Sequence, residues 1–166
     1  MLHEYETLLV RELSDGIILV TLNRPDVCNA INFKMMQELR DLWKAFHQLS
    51  ALRCVILTGE GERAFCAGAD LKERRKLTLP SWKKQHAVLQ QAIMAIVECP
   101  CPVIAAVNGL AFGGGFELVL ACDFAYAVES AVFALPEVKL GIMPGAMGTQ
   151  NLTKACGPRR AKEMIF

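Results

Sequence analysis

The sequence lacks an excess of charge of either sign. Eighteen Lys and Arg stand against 17 Asp and Glu, for a formal charge of +1. That balance supplies no broad electrostatic attraction to nucleic acid or to an anionic lipid surface, and leaves only a local anion site open. The chain also lacks an apolar run of the roughly 20 residues a membrane span requires. Its most apolar stretch, residues 103–127, is interrupted by Asn108, Gly109, Gly113 to Gly115, Glu117 and Asp123. Metal-site spacing is missing as well. Cys99-Pro100-Cys101 does not have the two-residue spacer of a redox or zinc motif, and His3, His47 and His86 lie far from it in sequence, so no metal is predicted. The seven cysteines, at 28, 54, 66, 99, 101, 122 and 156, cannot all pair within the chain. Most sit in apolar runs, where a reduced thiol behaves as a small hydrophobe, which predicts a reducing compartment. Residues 1–14 carry Glu4, Glu6 and Glu12 and no long apolar core, unlike a secretory signal, so a cytoplasmic location is expected. There is no linker, low-complexity stretch or repeat with a period of about 20 to 50 residues.

What is present is material for a core. The chain has 166 residues, 53% apolar and 21% charged, enough to offset chain entropy in one domain at a prior of about 150 residues per domain. Residues 8–10 and 17–22 flank Ser14-Asp15-Gly16 and read as a hairpin turned by the Asp-Gly pair. Asn32 is placed to cap a helix whose Met35, Met36, Leu39, Leu42, Trp43 and Phe46 recur at three and four residue intervals. Residues 54–58 and 103–107 are short continuous apolar runs of the kind buried on both faces of a parallel sheet. Residues 82–97 read as a second helix, ended by Pro100 and Pro102. Residues 133–135 read as a short extended piece, 144–148 as a loop, and 151–166 as mostly helical with a break at Gly157-Pro158. The fold class is therefore α/β. Residues 159–166 look like the opening turns of an amphipathic helix that stops without a capping glycine, so loss of a C-terminal portion is expected.

Three segments carry chemistry. Gly113-Gly114-Gly115, between a buried strand and an apolar helix, lets a ligand atom approach main-chain N–H groups at a helix N-terminus, with Glu117 in the first turn behind. Close helix-to-strand packing explains the same glycines equally well. The G-x-G-x-x-G spacing is absent and no Gly-Lys-Ser/Thr follows, so a nucleotide site is not indicated. Glu137 again lies between apolar neighbours. Two such carboxyls facing one small space would have coupled titrations suited to proton transfer, although Glu137 would also suit a turn cap or a surface pair with Lys139. Finally, Cys66 to Ala69 is a run of small residues that could aim a second backbone N–H at one oxygen, or be an ordinary loop before a solvated charged face at Lys72 to Lys76.

Taken together, these segments resemble a known family. Asn23-Arg24-Pro25 with Asn29-Ala30, Ala64 to Leu71, Ile104 to Gly109 running into Gly113-Gly114-Gly115-Phe116-Glu117, Pro136-Glu137 and Gly141-Ile142-Met143-Pro144-Gly145 are similar in order and spacing to the enoyl-CoA hydratase/isomerase (crotonase) family. The resemblance implies a crotonase-like spiral of repeated β-β-α units over residues 1–166, followed in the family by C-terminal helices. It implies an acyl-CoA thioester substrate, no cofactor beyond the coenzyme A of that substrate, and a homotrimer or hexamer. It implies that the amides of Ala69 and Gly114 hold the thioester oxygen and that Glu117 and Glu137 are the catalytic pair of a hydratase. Cys28, Ala30, Ala67, Asp70, Leu71 and Lys72 would contact the CoA portion.

Met147 stands where the family commonly has glycine, and Asn151 where arginine is frequent. Two other activities fit the resemblance: enoyl-CoA isomerisation, which needs one carboxylate and leaves Glu117 unexplained, and acyl-CoA binding without turnover. Residues 66–74 also look like branched-chain methylglutaconyl-CoA hydratases, some of which bind RNA, a property that the +1 charge does not favour.

Overall fold

A computed structural model of the chain describes residues 4–166; His3, counted among the histidines above, and the first three residues of the acidic N-terminal stretch lie outside the described residues. The hairpin forms as its turn residues dictate. β1 (Leu8–Ser14) and β2 (Ile17–Leu22) pair antiparallel around Asp15-Gly16, where Gly16 adopts a φ of +72°. β1 extends four residues past the apolar run, because its outer half is an exposed edge whose pairing does not need apolar side chains.

β2 then pairs in parallel with β3 (Cys54–Gly59), β3 with β5 (Val103–Val107), and β5 with β7 (Phe124–Ala127), in the order β1-β2-β3-β5-β7. A second, parallel sheet is made of β4 (Ala64–Cys66), β6 (Leu110–Phe112) and β8 (Phe133–Ala134). β3, β5 and β7 of the main sheet are each followed by a short strand of the second and then by a helix, whereas the β1–β2 hairpin leads to α1 directly. Helices α1 (Phe33–Phe46), α3 (Leu79–Val97), α4 (Gly114–Ala121) and α5 (Gly148–Ile165) close the four successive units, and the short α2 (Leu71–Arg74) precedes α3. This is the β-β-α spiral expected from the resemblance.

α1 starts where its cap predicts, with the Asn32 side chain accepting from the Met35 amide at 2.9 Å, and it buries all six of its periodic apolar residues. α3 starts three residues earlier than the apolar period alone suggests, since Thr78 caps it and Pro80 occupies its first turn. α5 begins at Gly148, earlier than read from the sequence, and kinks at Gly157 (φ +78°) ahead of Pro158.

Two side-chain amides, one buried and one half-buried, fix the loops that leave the strands. Asn29, fully enclosed, accepts from the Arg24 amide and donates to the carbonyls of Glu60 and Ala64 at 3.0 and 2.9 Å. Asn108 donates to the carbonyls of Gly59 and Gly61 and accepts from the Gly59 amide. Side chains here replace strand-to-strand ladders, so chain direction changes without leaving backbone groups unpaired.

A third polar clamp holds the N-terminal segment. Glu38 of α1 is buried and accepts from the amides of Glu6 and Thr7, both at 2.9 Å, and from the Thr7 hydroxyl, and it pairs with Lys34 at 3.2 Å. Burial alone would raise its carboxyl, but these donors outweigh burial and hold it below the ordinary value. A carboxyl lowered by folding stabilises the fold above its unfolded pKa, and that stability is lost as pH falls through the folded value. Glu38→Ala is expected to cost about 2–4 kcal/mol at neutral pH through the orphaned donors, read from the denaturant midpoint. The gap between the two proteins should close on acidification, and a gap that persists unchanged at low pH contradicts the assignment.

Candidate active site

Two loops from successive units meet edge to edge. The chain leaving β4 turns through Ala67-Gly68-Ala69, with Gly68 at φ +90°, and the chain leaving β6 turns through Gly113, at φ +51°, into α4. A side chain at Gly68 would press within 2.7 Å of the Phe112 carbonyl and 3.2 Å of the Gly114 nitrogen. Ala69 forms a single parallel bridge with Ile31: the Ile31 amide donates to the Gly68 carbonyl at 2.7 Å, and the Asp70 amide donates to the Ile31 carbonyl at 2.9 Å. That bridge uses the groups flanking Ala69 and turns the Ala69 N–H to the other side. Gly114 is the first residue of α4, where N–H groups have no intrahelical acceptor, and the helical bonding starts with the Glu117 amide on the Gly113 carbonyl. Neither the Ala69 nor the Gly114 N–H has an acceptor among the described residues.

Both loops border a cavity of about 210 Å³ whose walls are mostly apolar, including Ile31, Met36, Leu89 and Leu140. Glu117 and Glu137 line it together. Glu117 is almost fully buried on α4, and its Oε1 accepts from the amides of Ala146 and Gly148 at 2.7 and 2.9 Å. No donor among the described residues takes its Oε2. Glu137 lies in the 3-10 turn Pro136–Leu140, also buried, with an Oε2 that is enclosed and has no hydrogen-bond partner. A side chain at Gly113 would come within 3.0 Å of Glu137 Oε1. Burial pushes both carboxyls above their ordinary value; the two amides on Glu117 and the Arg74 charge oppose this only in part, and Glu137 pushes Glu117 further up.

A family model described as enoyl-CoA hydratase/isomerase matches residues 12–166. The chain belongs to the enoyl-CoA hydratase/isomerase family. It is 41% identical over 163 residues to the mitochondrial enoyl-CoA hydratase of Pongo abelii, covering 98% of this chain and 55% of that protein. It is 38% identical over 162 residues to the crotonyl-CoA hydratase of Syntrophomonas wolfei, covering 98% of this chain and 62% of that protein. Among solved structures, the enoyl-CoA hydratase from Bacillus anthracis superposes with a TM-score of 0.93 at 41% identity, over 96% of this chain and 62% of that one. The chain therefore spans little more than half to three fifths of the length of these hydratase/isomerase relatives.

Within this family member, the candidate residues separate into two groups. Ala67, Ala69, Leu71, Gly114, Glu117 and Glu137 share the cavity. Cys28, Ala30, Asp70 and Lys72 do not line it. Instead, the Ala67 amide donates to the Cys28 carbonyl at 2.9 Å, and Arg24 Nη1 bridges the Ala30 carbonyl and Asp70 Oδ2. Asp70 also caps α2 through the amides of Lys72 and Glu73. Burial would raise the Asp70 carboxyl, but those amides and Arg24 outweigh it and hold it below its ordinary value. These contacts brace the loop that carries Ala67 and Ala69, and Lys72 itself is exposed.

Glu137 makes no ion pair with Lys139, the surface alternative considered for it; the turn folds it inward. The sequence also misplaces Arg74. Read with residues 72–76 as a solvated face, it instead lines the cavity and forms no salt bridge among the described residues. Burial draws its guanidinium below the ordinary value, while Glu117, Glu137 and Glu73 oppose this, and it stays charged. Trp82 and His86, stacked at 5.0 Å and 6°, add an aromatic wall that periodicity does not reveal.

A carboxyl raised by folding favours the fold at low pH, and that contribution is lost as pH rises through the folded value. Titrating glutamate side chains by carbon-13 resonance, with Glu117→Gln and Glu137→Gln for assignment, should place both above the usual value of about 4.3. Arg74→Met should move both higher still, because a cation no longer favours their charged forms. Titration of either at or below the usual value contradicts this electrostatic picture.

Proposed function

We propose that the chain carries the hydration site of an enoyl-CoA hydratase and adds water reversibly and syn across the 2,3 double bond of an enoyl-CoA thioester. The observation that carries this is one cavity bordered by two unpaired backbone N–H donors and two buried carboxyls. When water attacks C3, negative charge builds on the thioester oxygen. The Ala69 and Gly114 amides border the cavity without acceptors of their own and would take up that charge, and donors of this kind contribute about 3 to 4 kcal/mol each to the barrier reduction.

The two acids have different supports and take different roles. Glu117 is pinned by two amides on Oε1, which leaves Oε2 to orient a water and accept its proton as the oxygen bonds to C3. Glu137 has an enclosed, unpartnered Oε2, a setting that favours the protonated form and suits delivery of a proton to C2. Between them, one hydroxyl and one hydrogen are added and the pair returns to its starting proton count, so the reaction calls on no cofactor beyond the substrate's own coenzyme A. Ala67 and Leu71 border the cavity beside the amides and would flank the thioester arm. Cys28, Ala30 and Asp70 would hold the loop that the CoA portion crosses, with the exposed Lys72 available to its phosphates. Assembly as a homotrimer or hexamer belongs to the same proposal, and the exposed apolar residues Phe124, Tyr126, Val128 and Val132 support it.

Glu117→Gln and Glu137→Gln are each expected to lower hydration of a 2-enoyl-CoA by about a hundredfold to ten-thousandfold, followed as loss of the conjugated thioester absorbance. Full hydration by either variant rejects its assigned role. Isomerisation of a 3-enoyl-CoA that survives Glu117→Gln and exceeds hydration in the unaltered protein would instead favour an isomerase.

A further inference from the structure

The parallel register gathers cysteines away from the cavity. Val55 pairs with Val103 and Ile104 with Phe124, so Cys54, Cys101 and Cys122 fall at the N-terminal ends of three neighbouring strands. Cys99 joins them from the end of α3, and none of the four lines the cavity. Within this group, Cys99 Sγ lies 3.8 Å from Cys101 Sγ, the one sulfur-to-sulfur contact among the described residues. Both are half-buried at the surface, whereas Cys122 is enclosed and its thiol is directed to the Leu118 carbonyl at 3.3 Å.

The segment holding the pair is fixed on both sides. The Cys99 amide donates to the Ile96 carbonyl at 3.1 Å, and the Pro102 carbonyl accepts from Val55 at 2.9 Å. Pro100 and Pro102 restrict φ between and after the two cysteines. The two thiols therefore face each other on a backbone held on both sides, and a disulfide of about 2 Å requires the sulfurs to close the remaining gap.

We propose that Cys99 and Cys101 form an oxidation site at which a hydroperoxide converts the two thiols into an intrachain disulfide. The Cys99 sulfur attacks the terminal peroxide oxygen; the O–O bond breaks, leaving a sulfenic acid on Cys99 and releasing the alcohol, or water from hydrogen peroxide. The Cys101 sulfur then displaces the hydroxyl from Cys99, which leaves as water, and the S–S bond forms. The dithiol gives up two electrons and two protons, and the peroxide is reduced. The Cys101 sulfur stands 3.8 Å from that of Cys99 and is placed to resolve the sulfenic acid formed there, while burial, and then the neighbouring Cys99 thiol, push its own thiol up to about 12. The site is independent of the hydration chemistry, and its test does not use turnover.

The test is hydrogen peroxide treatment followed by thiol alkylation, intact mass and peptide mapping, on the chain carrying Cys156→Ser to remove an exposed thiol. The expected product is lighter by two hydrogens, is restored by dithiothreitol, and is blocked at residues 99 and 101 while Cys54 and Cys122 still alkylate. Cys54→Ser and Cys122→Ser should keep the mass loss. Cys101→Ser should abolish it and leave a sulfenic acid on Cys99 that dimedone traps. Alkylation of both Cys99 and Cys101 after peroxide, or a bridge from either to Cys54 or Cys122, overturns the proposal, and that pattern is read on a chain in which both cysteines are intact.

Discussion

The site depends on a backbone-to-backbone approach that no side chain could survive. Gly115, in the first turn of α4, sits where a Cβ would overlap the Cys66 carbonyl at the end of β4. This contact brings the N-terminus of α4 down onto the loop leaving β4, and so sets the Gly114 amide beside Ala69. The Ile31–Ala69 bridge then decides which way the Ala69 N–H faces, because it takes up the Gly68 carbonyl and the Asp70 amide and leaves the amide between them unused. Two donors without acceptors would ordinarily be a cost to the fold. Here they are kept side by side because the groups around them are fully committed to holding the two loops together.

The same packing determines the second carboxyl's surroundings. Gly113 lacks a side chain where Glu137 Oε1 comes close, and Gly148 lacks one where Glu117 Oε1 accepts its two amides. A methyl group at Gly148 would stand 2.8 Å from that oxygen. The glycines therefore serve two ends: some permit backbone turns, and others leave room for carboxyl oxygens. Composition cannot tell these uses apart, since both appear as glycine beside apolar residues.

The elements legible in the sequence were those with a strong local cause. The Asp15-Gly16 turn, the Asn32 cap and the α1 stripe each follow from a few neighbouring residues, and the structure contains all of them. The strands β4 and β6 were not separable, because three residues carry no period, and although residues 133–135 read as extended, that β8 joins them in a second sheet came only with the pairing. Arg74 was hidden for a related reason. On a four-residue helix successive charges face different surroundings, and a run from Lys72 to Lys76 looks uniformly solvated although one member turns into the cavity. The glutamates, by contrast, were legible as acids set among apolar neighbours, while their partners, the Ala146 and Gly148 amides, lie about thirty positions away from Glu117 and came only with the fold.

Glu38 and Glu117 show why burial by itself does not decide what a glutamate does. Both are enclosed and both accept from two backbone amides. Glu38 adds the Thr7 hydroxyl and the Lys34 ammonium, spreads its donors over both oxygens, and is drawn below its ordinary value. Glu117 receives both amides on one oxygen, and its deeper burial, with a second acid facing it, pushes it above the ordinary value. The first arrangement satisfies the charged form and ties β1 to α1. The second leaves one oxygen without a donor in a space shared with Glu137 and Arg74, which raises proton affinity while keeping that oxygen available to a ligand. What separates a structural clamp from a candidate proton carrier on this chain is therefore the balance between depth of burial and the donors on the two carboxyl oxygens, and that balance follows from whether the facing segment is a strand end or a cavity wall.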